Sequence, residues 1–86
     1  MSNVTENQEA MTLGRILLHN ALLHRSPSAD FAEPRHQAIF AAMLALDASE
    51  TPIDTVTPRE TLALQGKLAE VGGDEYLLAL TDLVLP

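Results

Sequence analysis

The sequence predicts a small all-α domain of several helices. Three observations carry that expectation. Apolar residues recur at spacings of three and four in the longer segments; no stretch of useful length alternates apolar and polar as a half-buried strand would; and Pro34, Pro58 and Gly66 stand where helix starts and stops require them. The chain has 86 residues, enough for one domain, near the size at which apolar burial only just offsets chain entropy. Modest stability is the expectation.

Residues 1–8 are polar, lack an apolar period and read as a flexible N-terminus ahead of a helical domain at 9–86. From Glu9 the pattern changes. Ala10, Leu13, Ile16, Leu17 and Ala21 form one helical stripe, with Met11, Leu18 and Leu22 beside it, so this helix is buried over more than half its circumference. Gly14 lies inside it, where glycine costs about 1 kcal/mol against alanine. The gain that offsets this is close approach of another helix. His24-Arg25-Ser26-Pro27-Ser28 reads as a loop.

Pro34 opens a central core helix whose apolar side is His36, Ile39, Phe40, Met43, Leu44 and Leu46, ending at Asp47. The connection that follows is extended at Thr51-Pro52, with Ile53 and Val56 as its anchors. Thr57 and Glu60 have capping-box spacing, with Thr57 at the N-cap, Pro58 at the first helical position and Gly66 as the left-handed stop of a helix over 58–65. Residues 67–71 have room for about one more turn before Gly72-Gly73 relieves a tight reversal. Asp74 and Glu75 then open the last helix at its positive end, with Tyr76, Leu77, Leu80, Leu83 and Val84 as its inner stripe. Leu78 and Leu85 lie off that stripe; with Leu83 they are the candidate partner surface.

Twelve acidic against five basic side chains give a net charge of −7, which repels phosphate backbones. The few aromatic residues, Phe31, Phe40 and Tyr76, fall where a core needs them rather than on a stacking platform. Direct nucleic-acid binding is therefore not expected, and a protein partner is. Without cysteine there is no disulfide framework and no thiolate zinc site, in keeping with a reducing cytoplasm. Apolar runs fall far short of the roughly 18 residues of a membrane span.

No residue pattern supports catalysis. Gly72-Gly73 is followed by Asp74-Glu75 rather than Gly-Lys-Ser/Thr, and carboxylates there would repel a phosphate. His19 and His24 are five apart, not four, with no glutamate between them in zinc-protease fashion. His36 lies on an apolar helix side and is expected as a buried ring bonded to a carbonyl. Asp47, Glu50 and Asp54 read as solvated caps and surface charge, and Ser26 and Ser28 have no base held nearby. No catalytic, metal or cofactor residue is assigned.

Pro52-Ile53-Asp54, Val56-Thr57, Glu60, Leu62, Gly66, Leu68, Val71-Gly72-Gly73 and Tyr76-Leu77 follow one another in an order that resembles the N-terminal domain of DnaB-type replicative DNA helicases. Upstream, Leu13-Gly14 with Ile16-Leu17-Leu18, Asp30-Phe31 and His36-Gln37-Ala38-Ile39-Phe40 are similar to motifs of the same family. Two departures stand out: Glu9-Ala10-Met11-Thr12 replaces the family's Glu-Gln-x-Val, and the segment between Leu18 and Phe31 is shorter by about four residues, roughly one helical turn. The resemblance implies a small compact multi-helix orthogonal bundle, with structural roles for Gly14, His36, Phe40, Asp54, Thr57, Glu60, Gly66, Gly72, Gly73 and Tyr76. It also implies a non-catalytic collar domain of a ring hexamer that contacts neighbouring subunits and receives primase or a helicase loader. ATP and magnesium would belong to a separate motor domain. The alternative is a free-standing helical adaptor or regulatory module of the same fold, from a phage or plasmid system. In the family a helical hairpin follows this globular part and supplies much of the contact between paired domains, so the globular part is expected to be monomeric or weakly dimeric.

Overall fold

The structure, a computed structural model, describes residues 3–20, 23 and 31–84. Four α-helices follow one another, with no strand among the described residues: α1 (Asn3–Leu18), α2 (Pro34–Ala48), α3 (Thr57–Leu64) and α4 (Gly73–Asp82). α1 packs on α4 and α2, and α3 on α2 and α4. The core forms where the four meet, from Leu13 and Ile16 of α1, Ile39 and Met43 of α2, Leu62 of α3, and Leu77 and Leu80 of α4, all fully buried. Phe40 of α2 and Phe31, Ile53 and Val71 from the connections extend it, and Tyr76 packs against it half-buried. The expected inner stripes of α1, α2 and α4 are thus in place at these positions, whereas Leu18 of α1 and Leu83 at the end of α4, expected on the stripes, are exposed.

α1 begins at Asn3, six residues ahead of the Glu9 at which the apolar pattern starts. No glycine or proline interrupts that stretch, and a helix already nucleated by a packed stripe extends at little cost. The helix stops at Leu18, and Asn20 closes it: its Nδ2 donates to the Ile16 carbonyl at 2.9 Å and to the Ile53 carbonyl at 2.8 Å, while its Oδ1 accepts from the Ile53 amide at 2.8 Å. One side-chain amide therefore satisfies both backbone groups of Ile53 and pins the α2–α3 connection to the end of α1. The reading of 24–28 as a loop, and Ala21 and Leu22 of the α1 stripes, lie outside the described residues.

α2 and α3 end in the same way. After α2, Thr51 N–H donates to the Leu46 carbonyl at 2.9 Å and Glu50 N–H to that of Asp47 at 3.0 Å; after α3, Lys67 donates to Leu62 at 2.8 Å and Gly66 to Ala63 at 3.1 Å. Both are Schellman closures, which need a left-handed residue. Gly66 supplies it at φ +71°, as expected; in α2 the position falls to Glu50, at φ +59°, a conformation unfavourable to a side chain.

The start of α3 corrects the expected capping box. Thr57 is already helical; its amide is held by Oδ1 of Asp54 at 2.9 Å, and the same oxygen takes the Val56 amide at 2.7 Å. Thr57 Oγ1 accepts from the Asp54 amide at 3.2 Å and donates to the Pro52 carbonyl at 2.9 Å. With the Thr57 amide occupied, exposed Glu60 is left only a favourable first-turn charge. Val56, expected as an anchor, is 47% exposed because the Asp54 turn throws it outward, and Leu44 faces solvent because only one side of α2 meets the core. Ile53 is buried as expected.

Gly14 meets the expectation of close approach. A Cβ there would collide with the Leu80 carbonyl oxygen and stand 3.0 Å from its carbon, so α1 and α4 cross in near backbone contact. Gly72 and Gly73 have φ of +105° and +73° and make the reversal into α4, again as read.

Candidate interaction surfaces

The first constellation is buried and polar. Glu9, on α1, extends its carboxylate to the start of α2, where no residue of α2 caps the helix itself. Its Oε2 accepts the Ala32 amide at 2.6 Å, and its Oε1 accepts the Glu33 amide at 3.2 Å and lies 2.9 Å from Nδ1 of His36. A carboxylate from another helix thus takes the orphan amides at the positive end of α2. The other ring nitrogen of His36 meets the Tyr76 hydroxyl in a short hydrogen bond, and the two rings stack at 5.8 Å. Arg35 covers the other part of Tyr76, its guanidinium carbon 4.1 Å from the ring centroid.

His36 is fully buried and Glu9 nearly so. Burial alone would raise the Glu9 pKa, but the Ala32 amide, the His36 ring and the Glu33 amide outweigh it and hold the carboxyl below its ordinary value. Facing a carboxylate that accepts, Nδ1 is the nitrogen that donates to Glu9, and Nε2 meets the Tyr76 hydroxyl. The expected partner of His36, a carbonyl, is corrected to this carboxylate and phenol. In the sequence Glu9 marks only the start of the helical pattern and of the Glu9-Ala10-Met11-Thr12 stretch; the signal for its role is a carboxylate opening an otherwise apolar stripe. The triad ties α1, α2 and α4 together.

Among the surface grooves are two lined by described residues. One, of about 490 Å³, is lined by Ala63, Gly66, Leu68, Ala69 and Gly73 between the end of α3 and the start of α4. The other, of about 210 Å³, is lined by Thr55, Val56, Arg59, Asp74 and Leu78. Arg59 and Asp74 form an exposed ion pair across it, at 3.2 Å. Thus Gly66 and Gly73 border one groove, while Gly14, Phe40, His36 and Gly72 serve the interior or its turns. Asp54 is exposed, and its pKa is lowered by the Thr57 and Val56 amides, as suits a cap that must stay ionised.

Of the candidate partner surface, Leu78 is 54% and Leu83 48% exposed, and Leu85 lies outside the described residues. Five residues apart, Leu78 and Leu83 point about 140° away from each other around a helix, so they do not make one strip. Leu64, at the end of α3, is 90% exposed and was not anticipated. No helix among the described residues is long and apolar enough to cross a membrane.

Comparison with known proteins gives one answer. Residues 2–85 match the family described as DnaB-like helicase N terminal domain. The replicative DNA helicase DnaB of Geobacillus stearothermophilus is 38% identical over 80 residues, covering 88% of this chain and 18% of that protein. DnaB of Leifsonia xyli is 40% identical over 55 residues, 64% of this chain and 12% of that one. The crystal structure of the N-terminal domain of DnaB helicase from Mycobacterium tuberculosis superposes with a TM-score of 0.86 at 32% identity, over 92% of this chain and 58% of that one. The chain spans less than a fifth of the length of these two DnaB relatives.

Proposed function

We propose that this chain, which belongs to the DnaB-like helicase N-terminal domain family, works as the non-catalytic collar of a replicative DNA helicase in the cytoplasm. In that role it contacts neighbouring subunits of a ring hexamer and receives primase or a helicase loader. ATP hydrolysis and strand separation would reside in a motor domain of a longer protein, with ATP and magnesium bound there.

The observation that carries the reading is the match, in sequence and in fold, to this one domain of the helicase over nearly the whole chain. The surface supports it. Val56, Leu64, Leu78 and Leu83 offer exposed apolar side chains on a body whose net charge is −7, a combination suited to protein contacts and unsuited to phosphate.

Co-elution of the 86-residue chain with primase and with helicase loader from the same source tests the reading. A complex with at least one of them is expected. If neither engages the chain at tens of micromolar while each engages the longer helicase, the receiving role is wrong.

A further inference from the structure

The smaller groove has a chemistry of its own. Leu78 and Val56, both about half exposed, line it together with Thr55, Arg59 and Asp74. On α4, Asp74, Glu75 and Asp82 stand four and three residues before Leu78 and four after it, the spacings that make neighbours on a helix surface. All three are exposed, and α4 carries no basic residue. Arg59, the cation of the groove, is already engaged with Asp74.

These features discriminate among occupants. At about 210 Å³ the space is below the roughly 300–1,000 Å³ of small-molecule pockets and matches one or two side chains. A second copy meeting this face symmetrically would set carboxylates against carboxylates. Nucleic acid and anionic lipid carry the same sign of charge and are repelled. A basic polypeptide segment with an apolar residue among its cations satisfies both the apolar walls and the acidic rim.

We propose that the Val56–Leu78 groove receives a single apolar anchor side chain from a lysine- or arginine-rich segment of a partner protein, whose cations lie against Glu75 and Asp82. This rests on the reading of the chain as a collar that receives proteins, and specifies where on it a basic partner segment docks.

The probe is a synthetic 14-residue Lys/Ala helix with one central leucine, titrated into the ¹⁵N-labelled 86-residue chain. Two controls accompany it, one with the leucine replaced by serine and one with every lysine replaced by glutamate. Amide shifts concentrated at 55–59 and 74–82 are expected, with affinity for the lysine peptide roughly tenfold weaker in Leu78→Ser, the scale of one lost anchor. The pair Glu75→Lys and Asp82→Lys should weaken the lysine peptide and strengthen the glutamate peptide. These side chains are exposed, so unchanged circular-dichroism melts are expected to accompany the changes.

Equal binding by wild type and Leu78→Ser, equal binding of both charge forms, or shifts centred elsewhere would overturn the proposal. Primase and loader capture by Leu78→Ser is read in parallel. Loss of capture with the fold intact supports the groove, and retained capture overturns it while leaving the collar reading standing. A wild-type chain that captures neither protein overturns the collar reading itself.

Discussion

The carboxylate of Glu9 and the ring of His36 meet 2.9 Å apart in the interior, across 27 residues of sequence. Glu9→Gln keeps the shape but places an amide where the backbone amides of Ala32 and Glu33 and the Nδ1–H need an acceptor. Its expected loss is about 1–3 kcal/mol, read from denaturant melts at neutral pH. Tyr76→Phe leaves buried Nε2 without its hydroxyl, and a smaller loss is expected, about 1 kcal/mol.

The same pair sets an acid limb. The folded pKa of Glu9 lies below its ordinary value of 4.5, so the unfolded chain binds protons more readily as the solution acidifies. The stabilisation is complete above about pH 4.5 and is lost as pH falls through the folded value. Asp54, lowered by the Thr57 and Val56 amides, acts in the same direction. Thermal melts between pH 7 and 3 should show a shallower acid decline in Glu9→Gln than in wild type, with a residue from Asp54 remaining. Parallel curves would mean that Glu9 is not held ionised by the fold.

Gly14→Ala sets two effects against each other. Helix propensity favours alanine by about 1 kcal/mol. The Cβ, however, runs into backbone at Leu80, which cannot swing aside as a side-chain tip can. Net destabilisation is expected, about 1–3 kcal/mol from overpacking, with a lower melting temperature. A raised melting temperature would show that α1 and α4 do not cross this closely.

At the start of α3 the load falls on Asp54. Asp54→Ala is expected to cost about 1 kcal/mol, as loss of a helix cap does, and Glu60→Ala less than about 0.5 kcal/mol, as at an exposed site. Equal losses would restore the Thr57–Glu60 box that the geometry excludes.

How much of this was legible follows from the range of each signal. The inner stripes of α1, α2 and α4 were readable because a 3.6-residue period is local, and Pro34, Gly66 and Gly72-Gly73 mark their own backbone geometry. The cap of α3 was ambiguous because Asp54-x-x-Thr57 and Thr57-x-x-Glu60 are overlapping frames of equal spacing, and only the fold chooses between them. Glu50 carries no mark of its left-handed conformation, since glycine is the usual sign. The links from Glu9 to His36 and from Asn20 to Ile53 join residues 27 and 33 apart, beyond any periodic pattern. At the candidate surface, Leu78 and Leu83 are both exposed, but counting along the chain grouped residues that the helix separates.

The surface also bears on assembly. The carboxylates around Leu78 oppose symmetric pairing through that face, so the isolated chain should be monomeric or weakly dimeric. Light scattering across a dilution series should give the monomer mass at low micromolar concentration. A dimer persisting there would place a subunit contact within this globular part.

The most direct test of the collar reading uses a DnaB-type helicase carrying this domain, with and without it. Motor ATPase activity, ring stability by mass photometry, and primase or loader capture are measured on the same preparations. The expected result is that deletion spares ATP hydrolysis while weakening the ring and abolishing capture. A deleted helicase that still forms stable hexamers and still captures its partners would contradict the account.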